Sequence, residues 1–178
     1  MRQAILDIDP SEVVELEIRR HPIGLVGIYS TGLLLIIAFL GLAVFLGATD
    51  LFGNNLPLGF AYVFIGALSF LIMLATYISA RVYGLNELII TNENLIQVIQ
   101  TSLFNRKISQ LSLEKVQDVS STQSGVIQSV FNYGTIFIET AGEAANFGFR
   151  YARDPNISAK HINEAHERFI KKFGIDVV

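Results

Sequence analysis

Residues 22–49 read PIGLVGIYSTGLLLIIAFLGLAVFLGAT, and residues 51–80 read LFGNNLPLGFAYVFIGALSFLIMLATYISA; between positions 22 and 80 the only charge is Asp50. A transmembrane helix needs about 20 predominantly apolar residues to cross a hydrocarbon core of about 30 Å. Both stretches clear that length. Gly47-Ala48-Thr49-Asp50 and Gly53-Asn54-Asn55-Leu56-Pro57 are helix breakers between them. The expectation is two transmembrane helices, over 23–46 and 58–79, forming a hairpin. A cleaved signal peptide would carry an apolar run of only about 7–15 residues near the start and no second span.

Outward from this block the chain becomes ordinary. Over all 178 residues 51% are hydrophobic and 16% charged, with a mean hydropathy of +0.47. Soluble domains run near ~25% charged, and the residues outside 22–80 reach about 24% on their own. A polar arm (1–21) therefore precedes the hairpin (22–80), and a folded domain (81–178) follows it. The arm carries three Arg against five carboxylates, while 81–178 holds ten basic and ten acidic residues. Such a neutral domain lacks the Lys/Arg clustering of a nucleic-acid binder. Cys is absent, so no disulfide, thiolate nucleophile or Cys-ligated zinc is available.

Basic residues set the orientation. Arg19 and Arg20 precede the first span, Arg81 follows the second, and the connecting loop has no Lys or Arg. The positive-inside rule places both chain ends in the cytoplasm and makes the protein a multi-pass cell-membrane protein. Tyr77 and Tyr83 flank the second exit, where amphipathic rings favour the interface. Neither span holds an ionisable residue, which argues against a pump or coupled transporter. Small residues recur as Ala43-xxx-Gly47 and Ala75-xxx-Ser79, spacings that pack two helices together or drive oligomerisation.

From residue 86 the pattern shortens to β-type runs. Leu88–Thr91 and Leu95–Thr101 flank Asn92-Glu93-Asn94 as a hairpin, and alternation in the second run puts one face toward a core. Ser102–Asn105 turns into Arg106–Leu111. Lys115–Thr122 precedes a short segment, Ser124–Phe131, of one or two helical turns. Thr135–Thr140 and Asn146–Tyr151 pair across Gly142-Glu143. Asp154-Pro155 then opens a helix whose stripe is Ile162, Ala165, Phe169 and Phe173, with Lys171 and Lys172 near its end and Gly174 closing it. The fold class is a helical hairpin followed by an α+β domain of six or seven antiparallel strands and a C-terminal helix. In the arm, Val14, Leu16 and Ile18 alternate with charged residues, the period of a strand that adds to the sheet edge. Asp9-Pro10-Ser11-Glu12 resembles a helix start, and both readings of the arm stay open.

Several stretches carry a family resemblance: Arg19-Arg20-His21-Pro22 before two spans, then Asn86-Glu87-Leu88-Ile89-Ile90-Thr91-Asn92-Glu93, Leu103-Phe104-Asn105-Arg106-Lys107-Ile108, Ser112-Leu113-Glu114-Lys115-Val116-Gln117-Asp118-Val119, and Tyr133-Gly134-Thr135-Ile136-Phe137-Ile138-Glu139-Thr140-Ala141-Gly142. Over nearly its whole length the chain resembles the bacterial pleckstrin-homology-like, membrane-flanked domain family of small membrane proteins. That resemblance implies a partly open seven-stranded barrel capped by a helix, and a fold more than an activity. Relatives often carry a basic residue near position 129, where this chain has Ser129. Phosphoinositide-binding relatives place cations at the first hairpin turn, and Asn92-Glu93-Asn94 has none.

Residues with chemical potential are few. His161 and His166 lie five apart, about 140° around a helix, so they point to different sides and do not share a zinc. The expectation for both is a solvent-facing position. His21, beside Arg20, reads as an interface anchor. No phosphate loop, nucleophile elbow or paired-carboxylate site is recognisable, so no catalytic, cofactor or metal residue is assigned and the protein reads as non-enzymatic. Arg81, Arg106 and Lys107 are candidate contacts for anionic lipid, with Leu103 and Phe104 as a membrane-facing hairpin tip. The functional expectation is a membrane-anchored docking module that binds a protein partner or anionic headgroups at the inner face. The alternative is a subunit of a larger membrane assembly, or a homo-oligomer, acting through its helices.

Overall fold

The computed structural model describes residues 12–48, 58–140 and 147–174. The expected Gly53–Pro57 breaker, the Gly142-Glu143 turn and most of the Asp9–Glu12 motif lie outside them. The chain divides into two compact units, one of Met1–Pro22 with Gly84–Val178 and one of Ile23–Tyr83.

The helical unit holds α1 (Ile23–Ala48) and α2 (Leu58–Gly84). Within them Ile23–Phe45 and Val63–Gly84 are long and apolar enough to cross a membrane. Their large side chains point outward: Leu33, Leu34, Val44, Val63 and Phe64 are all exposed. The helices meet where glycine removes a side chain. A Cβ on Gly24 would lie 2.2 Å from the Tyr83 hydroxyl, and one on Gly32 would lie 2.3 Å from Thr76 Oγ1. The small residues Ala75 and Ser79 are instead exposed, and Ser79 Oγ donates to the Ala75 carbonyl at 2.8 Å. Close approach thus depends on which face of α2 meets α1, which spacing alone does not fix. Each helix also outruns its expected end, α1 by two residues and α2 by five. At α2 the added turn carries Arg81, a cation suited to the partial negative charge of a helix C-terminus.

The other unit is built from antiparallel sheets of four and three strands. The first has the order β1 (Val14–Arg19), β2 (Glu87–Thr91), β3 (Asn94–Gln100), β4 (Arg106–Ser112); the second is β5 (Val116–Thr122), β6 (Tyr133–Thr140), β7 (Phe147–Arg153). A 3-10 turn, Leu113–Lys115, joins them, α3 (Val126–Val130) links β5 to β6, and α4 (Pro155–Phe173) closes the domain. The alternation of Val14, Leu16 and Ile18 is realised as β1, which pairs with β2 from Val14↔Thr91 to Arg19↔Glu87. An isolated Arg20↔Ala152 bridge links the sheets there, and the barrel is not closed.

The main core lies between the sheets and α4. It joins Leu88, Ile90 and Leu95 to Val119, Ile136, Ile138, Phe149, Ile162 and Ala165. Phe169 packs at its margin, while Phe173 is exposed and touches Phe169 with ring centroids 4.6 Å apart. One expectation is corrected at β3. Its residues are buried on both faces, with Ile89, Ile96 and Val98 forming a second cluster beside Val14. Gln97 shares the main-core face and is buried, because its Nε2 donates to the Gly148 carbonyl at 2.9 Å. A polar group with a good partner can occupy an interior position. At the start of α4, Asp154 adopts left-handed angles (φ 46°) and makes no side-chain cap bond, its carboxylate accepting instead from Asn132 Nδ2.

Candidate functional site

Four of the five residues singled out in the sequence share one hairpin. Leu103 and Phe104 form the β3–β4 tip, and Arg106 and Lys107 open β4. Backbone groups of the tip are satisfied from within. Thr101 N donates to the Asn105 carbonyl at 3.0 Å, Asn105 N to Ser102 Oγ at 3.2 Å, and Gln100 Nε2 to the Ser102 carbonyl at 2.6 Å. With the polar atoms occupied, the apolar side chains are turned out, and Phe104 is 98% exposed. Arg106 and Lys107 are also exposed, and neither makes an ion pair among the described residues. As consecutive strand residues they project to opposite faces of the sheet, one cation on each side of the tip.

Register fixes which end of the sheet this is. The buried Asn86 side chain accepts from Gln100 N at 3.1 Å and donates to the Gln100 carbonyl at 3.4 Å. The tip is thereby tied to the start of β2, directly after α2 in the chain. Arg19↔Glu87 places the end of β1, directly before α1, on the same edge. Arg81, the fifth candidate, is exposed in the last turn of α2 and belongs to the helical unit.

A second feature of this edge escapes sequence reading. His21 stacks on Tyr133 (centroids 5.4 Å apart, planes 17° apart), and Tyr133 stacks on Tyr151 at 5.8 Å. His21 N donates to the Tyr151 carbonyl at 2.6 Å, and the Arg20 guanidinium lies 6.0 Å from the Phe149 ring centre. Burial, and secondarily the Arg153 charge, hold the His21 pKa below its ordinary 6.5 against the opposing pull of Asp154. The shift favours the neutral form of the ring. Asn132, Tyr151 and Asp154, the three non-glycine residues with positive φ among the described residues, all fall in this corner. Holding side chains in that region is costly, and the surrounding bonds must over-determine it. Only the left-handed tolerance of Asn and Asp could have hinted at it.

The α4 histidines separate. His161 is exposed, with Nδ1 3.3 Å from Glu164 Oε2. His166 is half-buried, and its Nδ1–H donates to the Leu113 carbonyl at 2.7 Å, correcting its expected solvent-facing position. The partner is 53 residues away, which helical spacing cannot reveal.

A family profile described as bacterial PH domain matches residues 25–169. A solved structure of a DUF1696 family protein with a pleckstrin-homology domain, from Shewanella loihica PV-4, is similar over 47% of this chain and 69% of its own, at 14% identity and a TM-score of 0.33. No curated protein matches the chain.

Proposed function

The chain belongs to the bacterial PH domain family, and from that premise we propose that it is a membrane-anchored docking module, without catalysis, working at the inner face of the cell membrane. PH-like domains are in general binding modules. In this reading α1 and α2 hold the β-domain against the lipid, so that contacts too weak to persist in solution become intramolecular in effect. The β3–β4 tip contacts the bilayer, with Leu103 and Phe104 entering the headgroup layer and Arg106 and Lys107 pairing with anionic lipid. Each such cation contributes about 1 kcal/mol near an anionic surface. The free edge along β4 is then available to a protein partner that adds a strand.

The observation that carries this reading is the placement of the tip. It lies on the edge of the sheet from which the chain runs into α1 and onto which it returns from α2. In this reading the chain enters α1 and leaves α2 on the same side of the membrane, a placement that the Arg19↔Glu87 pairing and the basic flanks both support.

The test uses the full chain in nanodiscs made with and without phosphatidylglycerol. Hydrogen exchange over residues 101–107 is expected to slow only with the anionic lipid, and the double variant Arg106→Ala, Lys107→Ala is expected to remove the difference. Equal exchange in both lipids overturns headgroup docking. Crosslinks to partners confined to α1 and α2 would favour assembly through the helices instead.

A further inference from the structure

From Val119 to Ile138 the chain carries no charged residue and no histidine. At the centre of that run stands α3, five residues long, with none of them buried. Val126 is 79% exposed and Val130 71%, and Ile127 and Phe131 are exposed beside them. An isolated helix of this length is not stable in water, so its conformation must be imposed by its surroundings.

The imposing groups are polar. Gln123 Nε2 donates to Asn132 Oδ1 at 3.1 Å and to the carbonyls of Gln128 and Tyr133 at 3.5 and 3.4 Å. Ser124 N donates to Gln128 Oε1 at 2.7 Å, and Asp154 N to the Asn132 carbonyl at 3.1 Å. Amide side chains thus staple the loop from within while its aliphatic and aromatic side chains are displayed outward. That is the reverse of the polarity of a loop selected for water, where exposed apolar clusters mark a contact surface.

We propose that α3 with Phe131 is a second membrane-contact element, an uncharged apolar turn seated in the boundary between headgroups and acyl chains. The inference rests on the membrane-anchored reading above and extends it to a segment with no cation. Chain continuity selects lipid as the occupant. Two residues past Phe131, the Tyr133 ring stacks on His21. Two residues past His21, α1 begins. Each of those steps spans at most about 7 Å of chain. Lack of charge fits the same choice, because carboxylates would be repelled by an anionic leaflet and the turn offers no cation to pair with a partner protein. Apolar anchoring of this kind, parallel to the surface, binds by buried apolar area without headgroup specificity.

The chain contains no Trp, so a single introduced tryptophan reports its own surroundings. The full chain carrying Val130→Trp, or Ile127→Trp as a second site, is placed in liposomes with and without brominated lipid. Asn163→Trp on the exposed face of α4 and Phe104→Trp at the hairpin tip serve as references. The expected result is a blue-shifted emission at positions 130 and 127, mostly quenched by brominated lipid, with position 163 unquenched. Quenching at 104 without quenching at 130 or 127 overturns the α3 anchor and leaves the docking module standing. Emission at 130 that shifts with protein density and ignores brominated lipid assigns the turn to a second copy of the chain, and also overturns it. If position 104 is unquenched as well and alkaline washing releases the protein, the membrane reading falls and the anchor with it.

Discussion

The two units solve one problem in opposite ways. Both must find partners for polar backbone and side chains. In α1 and α2 four hydroxyls bond within their own turn: Ser30 and Thr31 donate to the Gly27 carbonyl, Thr76 to that of Ile72, and Ser79 to that of Ala75. In the β-domain the corresponding bonds reach across the chain. The buried Glu12 carboxylate accepts from Thr91 Oγ1 at 2.8 Å and from Asn94 Nδ2 at 2.7 Å, Gln97 reaches Gly148, and His166 reaches Leu113. Apolar side chains divide the same way, outward on the helices and, apart from the β3–β4 tip and α3, largely inward in the domain. A helix can satisfy polar groups within its own turns, whereas a sheet fold gathers partners distant in the chain. One consequence is that damage in the helices should stay local and damage in the domain should spread.

The largest test of that contrast is a pair of truncations. Phe149→Ala, in the core between the sheets, is expected to destabilise the domain by about 3–5 kcal/mol. Leu34→Ala on the outer face of α1 is expected to leave domain stability unchanged, with hydrogen exchange of β6 amides in the full chain as the measurement. Equal losses would show that the units do not behave separately. An intermediate effect comes from polar groups. Glu12→Ala leaves the Asn94 side-chain amide short of an acceptor, with Thr91 Oγ1 keeping the Asn94 carbonyl, and is expected to cost about 1–3 kcal/mol, while Thr31→Val, which removes only a local bond, is expected to stay within about 0.5 kcal/mol. A large Thr31 effect would break the distinction.

The smallest effect is a pH dependence of the aromatic corner. The native state holds the His21 pKa below 6.5, so unfolding takes up a proton as the pH falls. Stability from this residue is full above about pH 6.5, the unfolded value, and declines as the pH drops through the lowered native value. Thermal denaturation followed from pH 7.5 downward should show that decline, and His21→Gln should flatten it. A stability that instead rises on acidification would reverse the assigned sign and place the dominant influence with Asp154.

Periodicity made much of this architecture legible. Apolar runs located both helices, turn residues located the hairpins around Asn92–Asn94 and Ser102–Asn105, and a four-residue stripe located α4. Those signals are local, and the features they missed are not. Gln97 looks outward-facing until Gly148 is beside it, and His166 looks solvated until Leu113 is. Asp154 was identifiable as the residue before α4, but its role as an acceptor for Asn132 depends on a loop 22 residues earlier. At the candidate site, the tip composition could be read because a turn flanked by apolar and basic residues is contiguous. Its position beside the start of β2 required the Asn86–Gln100 contact. The exposed face of α3 was hidden for a different reason: an apolar residue in a short segment is ordinarily assigned to the core, and only the finished fold shows Val126, Ile127 and Val130 turned outward.

The first strand has a further consequence for synthesis. β1 leaves the ribosome before either helix, yet its partner β2 follows both of them. Until the second helix has emerged, the N-terminal strand has no template, and nascent chains must carry it unpaired. Completion of the β-domain is thereby timed to delivery of the whole hairpin, and a chain threaded with its ends in different compartments could never assemble its first sheet.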